Sequence, residues 1–273
     1  RWPSVQDLAA APREDIMDAW AGLGYYSRAR NLHKCAQAIV QDYEGTFPQS
    51  QKKLKGLPGI GDYTSAAIMS MAFNSPATVV DGNIERIMAR YFNIQTPLPK
   101  AKTEMKQAAS LFFTSDTPRP GCFAQSLMDL GAMVCMPKSP KCDICPVAGG
   151  CKARAKNIAA ELPRKSARKI KPHKSGYIYW ISNENGEILV ERRPDKAMLG
   201  GTIGLPTSQW GALDQITHLQ NTAWPVGDGL KVQHSFTHFD LTLYLYKAHN
   251  TNPIIEQDGD YYWVARKEIE KTK

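Results

Sequence analysis

Cys135-Met136-Pro137-Lys138-Ser139-Pro140-Lys141-Cys142-Asp143-Ile144-Cys145-Pro146-Val147-Ala148-Gly149-Gly150-Cys151 is the stretch that decides the architecture. Its cysteines are spaced C-x6-C-x2-C-x5-C, and the tight bite of Cys142 and Cys145 lets one short loop wrap a single metal centre. A zinc ribbon shows two CxxC pairs across a longer gap, or histidines, and this loop has neither. The spacing therefore favours an iron–sulfur cluster over zinc. Four of the chain's six cysteines fall in these 17 residues, which points to metal binding in a reducing compartment rather than to a disulfide framework.

On the N-terminal side of the loop, apolar residues recur at helical spacing. Leu32, Cys35, Ala36, Ile39 and Val40 make one face, and Ser50 before Gln51–Lys55 reads as an N-cap with Gly56 as the stop. Further faces are marked by Ala66, Ala67, Met71 and Ala72, by Ile84, Ile87, Met88 and Tyr91, and by Phe123, Leu127, Leu130 and Val134. The first half is thus expected to be all-α. On the C-terminal side the period changes to two. Tyr177–Ile181 and Ile188–Arg192 flank the turn-rich Asn183-Glu184-Asn185-Gly186, Leu241, Leu243 and Leu245 alternate with polar or tyrosine positions, and Tyr261–Ala265 is a further strand. A helix is expected to open at 267–273. Between the halves, residues 152–175 carry nine Lys/Arg against the single acid Glu161, which accounts for the whole net charge of +8. Such a segment suits a phosphate-tracking connector, although a solvated linker has the same composition. No apolar run approaches the roughly 20 residues a membrane span requires.

Three motifs upstream carry chemistry. Leu57-Pro58-Gly59-Ile60-Gly61 precedes Asp62-Tyr63-Thr64 and an alanine-rich helix; two glycines let backbone N–H groups approach a phosphate, aided by the helix N-terminus. Val79-Val80-Asp81-Gly82-Asn83-Ile84 places Asp81 as an N-cap, where the helix keeps a carboxylate ionised. Gly22-Leu23-Gly24-Tyr25-Tyr26 holds paired tyrosines that, taken alone, are ordinary core aromatics.

Together these motifs resemble the MutY branch of the endonuclease III, or helix-hairpin-helix, DNA glycosylases. The resemblance implies a 4Fe-4S cluster on Cys135, Cys142, Cys145 and Cys151, shaping a basic loop in which Lys138 and Lys141 meet DNA. It implies a hairpin, Gly59-Ile60-Gly61, on the DNA backbone. Asp81 becomes the catalytic aspartate, with Asn83 beside it: breaking an N-glycosidic bond builds positive charge on the sugar, which a nearby carboxylate stabilises. Position 63 carries the Schiff-base lysine of bifunctional relatives. Here it is Tyr63, so monofunctional base removal is implied, with Tyr63 beside the adenine pocket. Tyr25 is implied to wedge into the duplex next to the flipped nucleotide.

The second half resembles a Nudix-like domain, through Arg192-Arg193-Pro194 and Gly200-Gly201-Thr202-Ile203-Gly204-Leu205-Pro206. No glutamate occurs between Arg193 and Ile255, so the acidic cluster a Nudix hydrolase needs for Mg²⁺ is missing and nucleotide hydrolysis is excluded. Phe236-Thr237-His238 resembles the Phe-Ser-His loop that reads 8-oxoguanine in this family. The threonine keeps the hydroxyl and adds a methyl.

The expectation is a multidomain chain. An all-α helix-hairpin-helix glycosylase domain (1–151) includes the iron–sulfur loop 135–151, a basic linker spans 152–175, and a mixed α/β Nudix-like recognition domain covers 176–273. Its implied substrate is adenine opposite 8-oxoguanine or guanine in double-stranded DNA, handled by a monomer in the bacterial cytoplasm or nucleoid with no membrane partner. The family's general acid is a glutamate in an N-terminal helix, and Glu14, Glu44 and Glu85 stand in the wrong context for it. The sequence is therefore expected to be truncated at its N-terminus and to remove adenine negligibly as written. The alternatives are an endonuclease III-like glycosylase/lyase and a non-catalytic DNA-binding module.

Overall fold

The computed structural model describes residues 1–167, 170–212, 223–225, 229–249 and 260–269. Arg168 and Lys169 of the expected linker, and residues 270–273 of the expected last helix, lie outside the described residues. The chain forms two compact units, Arg1–Ala11 with Asn31–Arg168, and Pro12–Arg30 with Lys169–Lys273.

The first unit is helical throughout. It contains α1 (Val5–Ala10), most of α3 (Ser27–Tyr43), α4 (Gln51–Lys55), α5 (Asp62–Ala67), α6 (Gly82–Tyr91), α7 (Lys102–Ser110), α8 (Pro120–Asp129) and α9 (Lys152–Ala155). α6 is the central element: Ile84, Ile87, Met88 and Ala89 are buried among Val79, Met105, Ala124 and Leu162. A second cluster joins Cys35 and Ile39 of α3 to Leu54 and Leu57, with Ile60 of the hairpin packed against it. Burying each large side chain contributes about 1.5–3 kcal/mol, so α6 is anchored chiefly by its apolar face. Two helices widen into π turns, α5 at Ile68–Ala72 and α8 at Leu130–Val134. Such turns shift the face a helix presents, and the second runs directly into Cys135.

The expected linker 152–175 does not behave as one segment. Ala153, Ala159 and Leu162 are buried in the helical core. Beyond them, Leu98 N donates to Arg164 O at 2.9 Å and Ser166 Oγ to Leu98 O at 2.8 Å. The apolar residues interleaved with the basic ones hold this half down; the charge count hid them.

Among the described residues, the second unit forms a seven-stranded mixed sheet: β1 (His173–Ser182), β2 (Glu187–Arg192), β3 (Ile203–Gly204), β4 (Ala223–Pro225), β5 (Lys231–Ser235), β6 (Asp240–His249) and β7 (Asp260–Ala265). A short α10 (Arg266–Ile269) follows. β1 and β2 form the expected hairpin, whose turn is pinned by Asn183 Oδ1 accepting from Asn185 N and Glu187 N, both at 3.0 Å. β1 runs parallel to β6 from His173↔Asp240 to Ser182↔His249, a pairing that no local pattern announces. β7 adds to β2, while β4 and β5 add to β6. Tyr179, Ile181 and Leu189 centre its core. Pro12–Arg30, with α2 (Arg13–Ala19), belongs to this unit by packing. No helix among the described residues is long and apolar enough to cross a membrane.

Gly121 marks a close helix crossing in the first unit. A Cβ there would stand 2.7 Å from Ser70 O and 2.9 Å from Met71 Cα, both backbone atoms of the first π turn. Gly121→Ala is expected to cost about 1–3 kcal/mol through overpacking. Thermal unfolding followed by circular dichroism should show a lowered midpoint.

Candidate functional site

The four loop cysteines line one apolar cavity with Ile87, Arg90, Tyr91, Leu130 and Val134. All four are free thiols. Burial, followed by the charges of Cys151, Cys135 and Cys145, pushes the Cys142 thiol up. No three His, Cys, Asp or Glu side chains among the described residues are placed to share one metal ion. Four thiols around a common cavity suit a group that takes four thiolate ligands, as an iron–sulfur cluster does. The residues present fit the cluster.

Two arginines on α6 serve this loop. Arg90 is only 1% exposed. Its Nε donates to Leu162 O at 3.0 Å, Nη1 to Cys135 O and Cys135 Sγ at 3.1 Å and to Met136 O at 2.8 Å, and Nη2 to Pro137 O at 3.0 Å. Burying a guanidinium costs several kcal/mol, so such a group persists only when its donors are satisfied and negative charge is near. One helical turn earlier, Arg86 donates from Nε to Cys135 O at 2.7 Å and from Nη2 to Gly131 O at 2.6 Å. Burial pulls its pKa down, with Cys135 and Asp81 opposing that shift.

Arg86 also reaches the other way. Its Nη2 donates to Asn83 Oδ1 at 2.9 Å, and Asn83 Nδ2 donates to Asp81 Oδ2 at 3.0 Å. Asp81 Oδ1 accepts from Ile84 N at 2.8 Å, capping α6. Asp81 and Asn83, picked out by the VDGN motif, are thus tied through Arg86 to the loop at Cys135. Gly131 makes the approach possible: a Cβ on it would lie 2.5 Å from Asn83 Cβ. The second π turn delivers both that gap and the carbonyl Arg86 uses.

The other expected residues are more exposed. In the hairpin, Gly59 has φ +77°, and a Cβ there would meet Asn31 Cβ at 2.7 Å, so glycine is required twice over. Gly61 caps α5 with no side chain over the helix N-terminus. Tyr63, in the first turn of α5, lines an open cleft with Val80, Glu85, Lys52, Lys102 and Lys106. Beside it Asp62 is held at about 2 by Lys55 and Lys106. Lys138 and Lys141 are exposed on the cysteine loop.

Residues 1–112 match the family model for the HhH-GPD superfamily base excision DNA repair protein. Residues 135–151 match the iron-sulfur binding domain of endonuclease III, and 177–273 a NUDIX domain. The adenine DNA glycosylase of Buchnera aphidicola subsp. Acyrthosiphon pisum is 36% identical over 184 residues, covering 67% of this chain and 53% of that protein. The human adenine DNA glycosylase is 29% identical over 328 aligned residues, covering 98% of this chain and 60% of that one. The chain thus carries an HhH-GPD domain and a NUDIX domain, and these curated relatives are adenine DNA glycosylases. It spans about half the length of the first curated relatives it matches. A thermostable thymine-DNA glycosylase of known structure is 30% identical, covering 56% of this chain and 70% of that one, with a TM-score of 0.48. The cofactor this family model implies for the cysteine loop is the expected 4Fe-4S cluster.

In the second unit, Phe236-Thr237-His238 forms a tight turn closed by Phe236 N donating to Phe239 O at 2.9 Å. Phe236 is the anchor, with its ring 4.9 Å from Phe239 and 4.5 Å from His234, and stacked 6.3 Å from Trp210. Lys171 Nζ holds the Phe236 carbonyl at 2.7 Å. Thr237 and His238 stand exposed at the tip. Tyr25 is no core aromatic: it is 71% exposed with φ +48°, and its hydroxyl lies 3.2 Å from Thr237 Oγ1. A tyrosine in left-handed backbone, between Gly22 and Gly24 of positive φ and Arg28, is the kind of strain kept at functional sites.

Sequence reasoning missed Arg86, Arg90 and Trp210. The available signal was the i, i+4 spacing of two arginines within the apolar rows of α6, which a solvated face does not produce. Replacing Arg90 with Met should remove a donor from four acceptors on the loop and from Leu162 O. Purified Arg90→Met is expected to carry much less iron and a weaker visible iron–sulfur absorbance than the unsubstituted chain.

Proposed function

We propose that this chain carries the aspartate, cluster and lesion-reading parts of an adenine DNA glycosylase. Its substrate is adenine opposite 8-oxoguanine, or guanine, in double-stranded DNA. The observation that carries this reading is the Asp81 carboxylate, oriented by two hydrogen bonds and backed by Arg86. As the bond from deoxyribose C1′ to adenine breaks, its electron pair leaves with the base and the sugar becomes cationic. A preoriented carboxylate stabilises that charge without reorganising during the reaction. Water then adds to C1′ and loses a proton, giving an abasic site and free adenine.

Asp81 and Asn83 hold the charge, and Tyr63 borders the base pocket. With no amine at position 63 there is no imine route to strand cleavage. The cluster, held by Cys135, Cys142, Cys145 and Cys151, supplies structure and charge, and Lys138 and Lys141 meet phosphates. Gly59, Ile60 and Gly61 seat the backbone, and Tyr25 fills the gap left by the flipped adenine. Phe236, Thr237 and His238 read the opposite base. Protonation of the departing adenine falls to the glutamate that this family uses as general acid. A monomer in the bacterial cytoplasm is the setting this chemistry suits.

The test is single-turnover adenine release from an 8-oxoguanine:adenine duplex, using the chain extended upstream by the family's glutamate-bearing helix. Release should leave a strand cut only by alkali, and Asp81→Asn should slow it at least about 100-fold. A borohydride-trapped adduct, or undiminished release by Asp81→Asn, would refute the reading. In binding assays Lys138→Ala with Lys141→Ala should weaken duplex affinity and reduce the magnitude of the salt slope by about two.

A further inference from the structure

The motif running from Arg192 to Gly201 has no part in the proposed reaction, because the glutamates that would use it for nucleotide hydrolysis are absent. In the second unit it grips another partner. Asp195 Oδ1 accepts from Arg13 Nη2, and Arg30 Nε stands 3.8 Å from the same oxygen. Arg30 also donates from Nη1 to Gly200 O and from Nη2 to the Asp195 carbonyl at 2.9 Å. Arg192 Nη1 reaches Glu14 Oε1 at 3.3 Å.

The paired glycines make the space. Gly201 has φ +77°, and a Cβ there would lie 2.7 Å from Arg13 Nη2. At Gly200 a Cβ would lie 2.3 Å from Asp195 O. Arg13 opens α2 and Arg30 lies in the first turn of α3, so the two guanidiniums bracket the segment that contains Tyr25. Within it, Trp20 Nε1 donates to Gly24 O at 3.0 Å, and Arg28 packs 5.2 Å from the Trp20 ring and 5.6 Å from the Tyr25 ring. A single exposed ion pair would contribute little. Here the Arg30 side chain is only 12% exposed, the two arginines share the Asp195 carboxylate and Arg30 also takes two carbonyls, so the contact is a network.

We propose that the Asp195–Gly201 turn is a clamp that presets the Tyr25 loop on the recognition unit before DNA arrives. Asp195 is a positioning residue, acting on Tyr25 through Arg13 and Arg30. A loop already ordered loses less freedom on binding, so the clamp raises preference for the mispair without adding a DNA contact. The inference rests on the reading of Tyr25 as the wedge.

Two readouts on the 273-residue chain test it. In DNA-free hydrogen exchange, Asp195→Ala is expected to speed exchange across residues 20–28 about tenfold or more, leaving β1 and β6 unchanged. In binding, its preference for an 8-oxoguanine:adenine duplex over a fully paired one should fall about tenfold. Arg13→Gln should reproduce both effects, and Arg13→Lys should restore most of the loop's protection. Were Asp195→Ala to unfold the unit, exchange would rise in β1 and β6 too, and Arg13→Gln then decides. Unchanged exchange at 20–28 overturns the clamp. A loosened loop with undiminished preference overturns its link to recognition. An unsubstituted chain with no preference for the mispair sinks the functional reading instead, and the clamp then stands or falls on exchange alone.

Discussion

The link between the cysteine loop and Asp81 depends on two guanidinium groups buried where apolar side chains would be expected. Arg86 and Arg90, one turn apart on α6, give seven hydrogen bonds to atoms of the cysteine loop, the second π turn and Leu162. Apolar packing alone would position α6 equally well, and at lower desolvation cost. Two cations in the core make sense only because the adjacent loop presents carbonyls and four thiols. The carbonyls and thiol of the loop and the positive helix face therefore require each other.

This mutual requirement gives the loop a consequence beyond its own shape. The same Arg86 that meets Cys135 O also orients Asn83, and Asn83 orients Asp81. The cysteine loop and the carboxylate belong to one hydrogen-bonded chain of four residues. The cysteine loop thereby bears on the placement of Asp81 through geometry. The π turn at Leu130–Val134 and its Gly131 make the link short enough to work.

Much of this was legible in the sequence because the relevant signals are local. The cysteine spacing, the LPGIG hairpin, the VDGN cap and the period-two strands around Asn183–Gly186 each depend on residues a few positions apart. The parallel pairing of β1 with β6 was not legible, since it joins segments over 60 residues apart with no matching local cue. Nor were Arg86 and Arg90: a buried arginine and a surface arginine are the same letter until the acceptors 45 residues away are placed. The basic segment misled in the opposite sense. Its charge suggested a connector, while Ala159 and Leu162 between the charges were core residues. Tyr25 showed both limits at once, its motif being plain and its exposure and left-handed backbone invisible.

The central claim is that Arg86 transmits order from the cysteine loop to Asp81. The direct measurement is single-turnover adenine release by Arg86→Met in the upstream-extended chain, on protein selected for full iron content. Release should slow by about 10- to 100-fold with the visible iron–sulfur spectrum unchanged, as for other groups that orient reactive residues from behind. An undiminished rate at full iron content would contradict it.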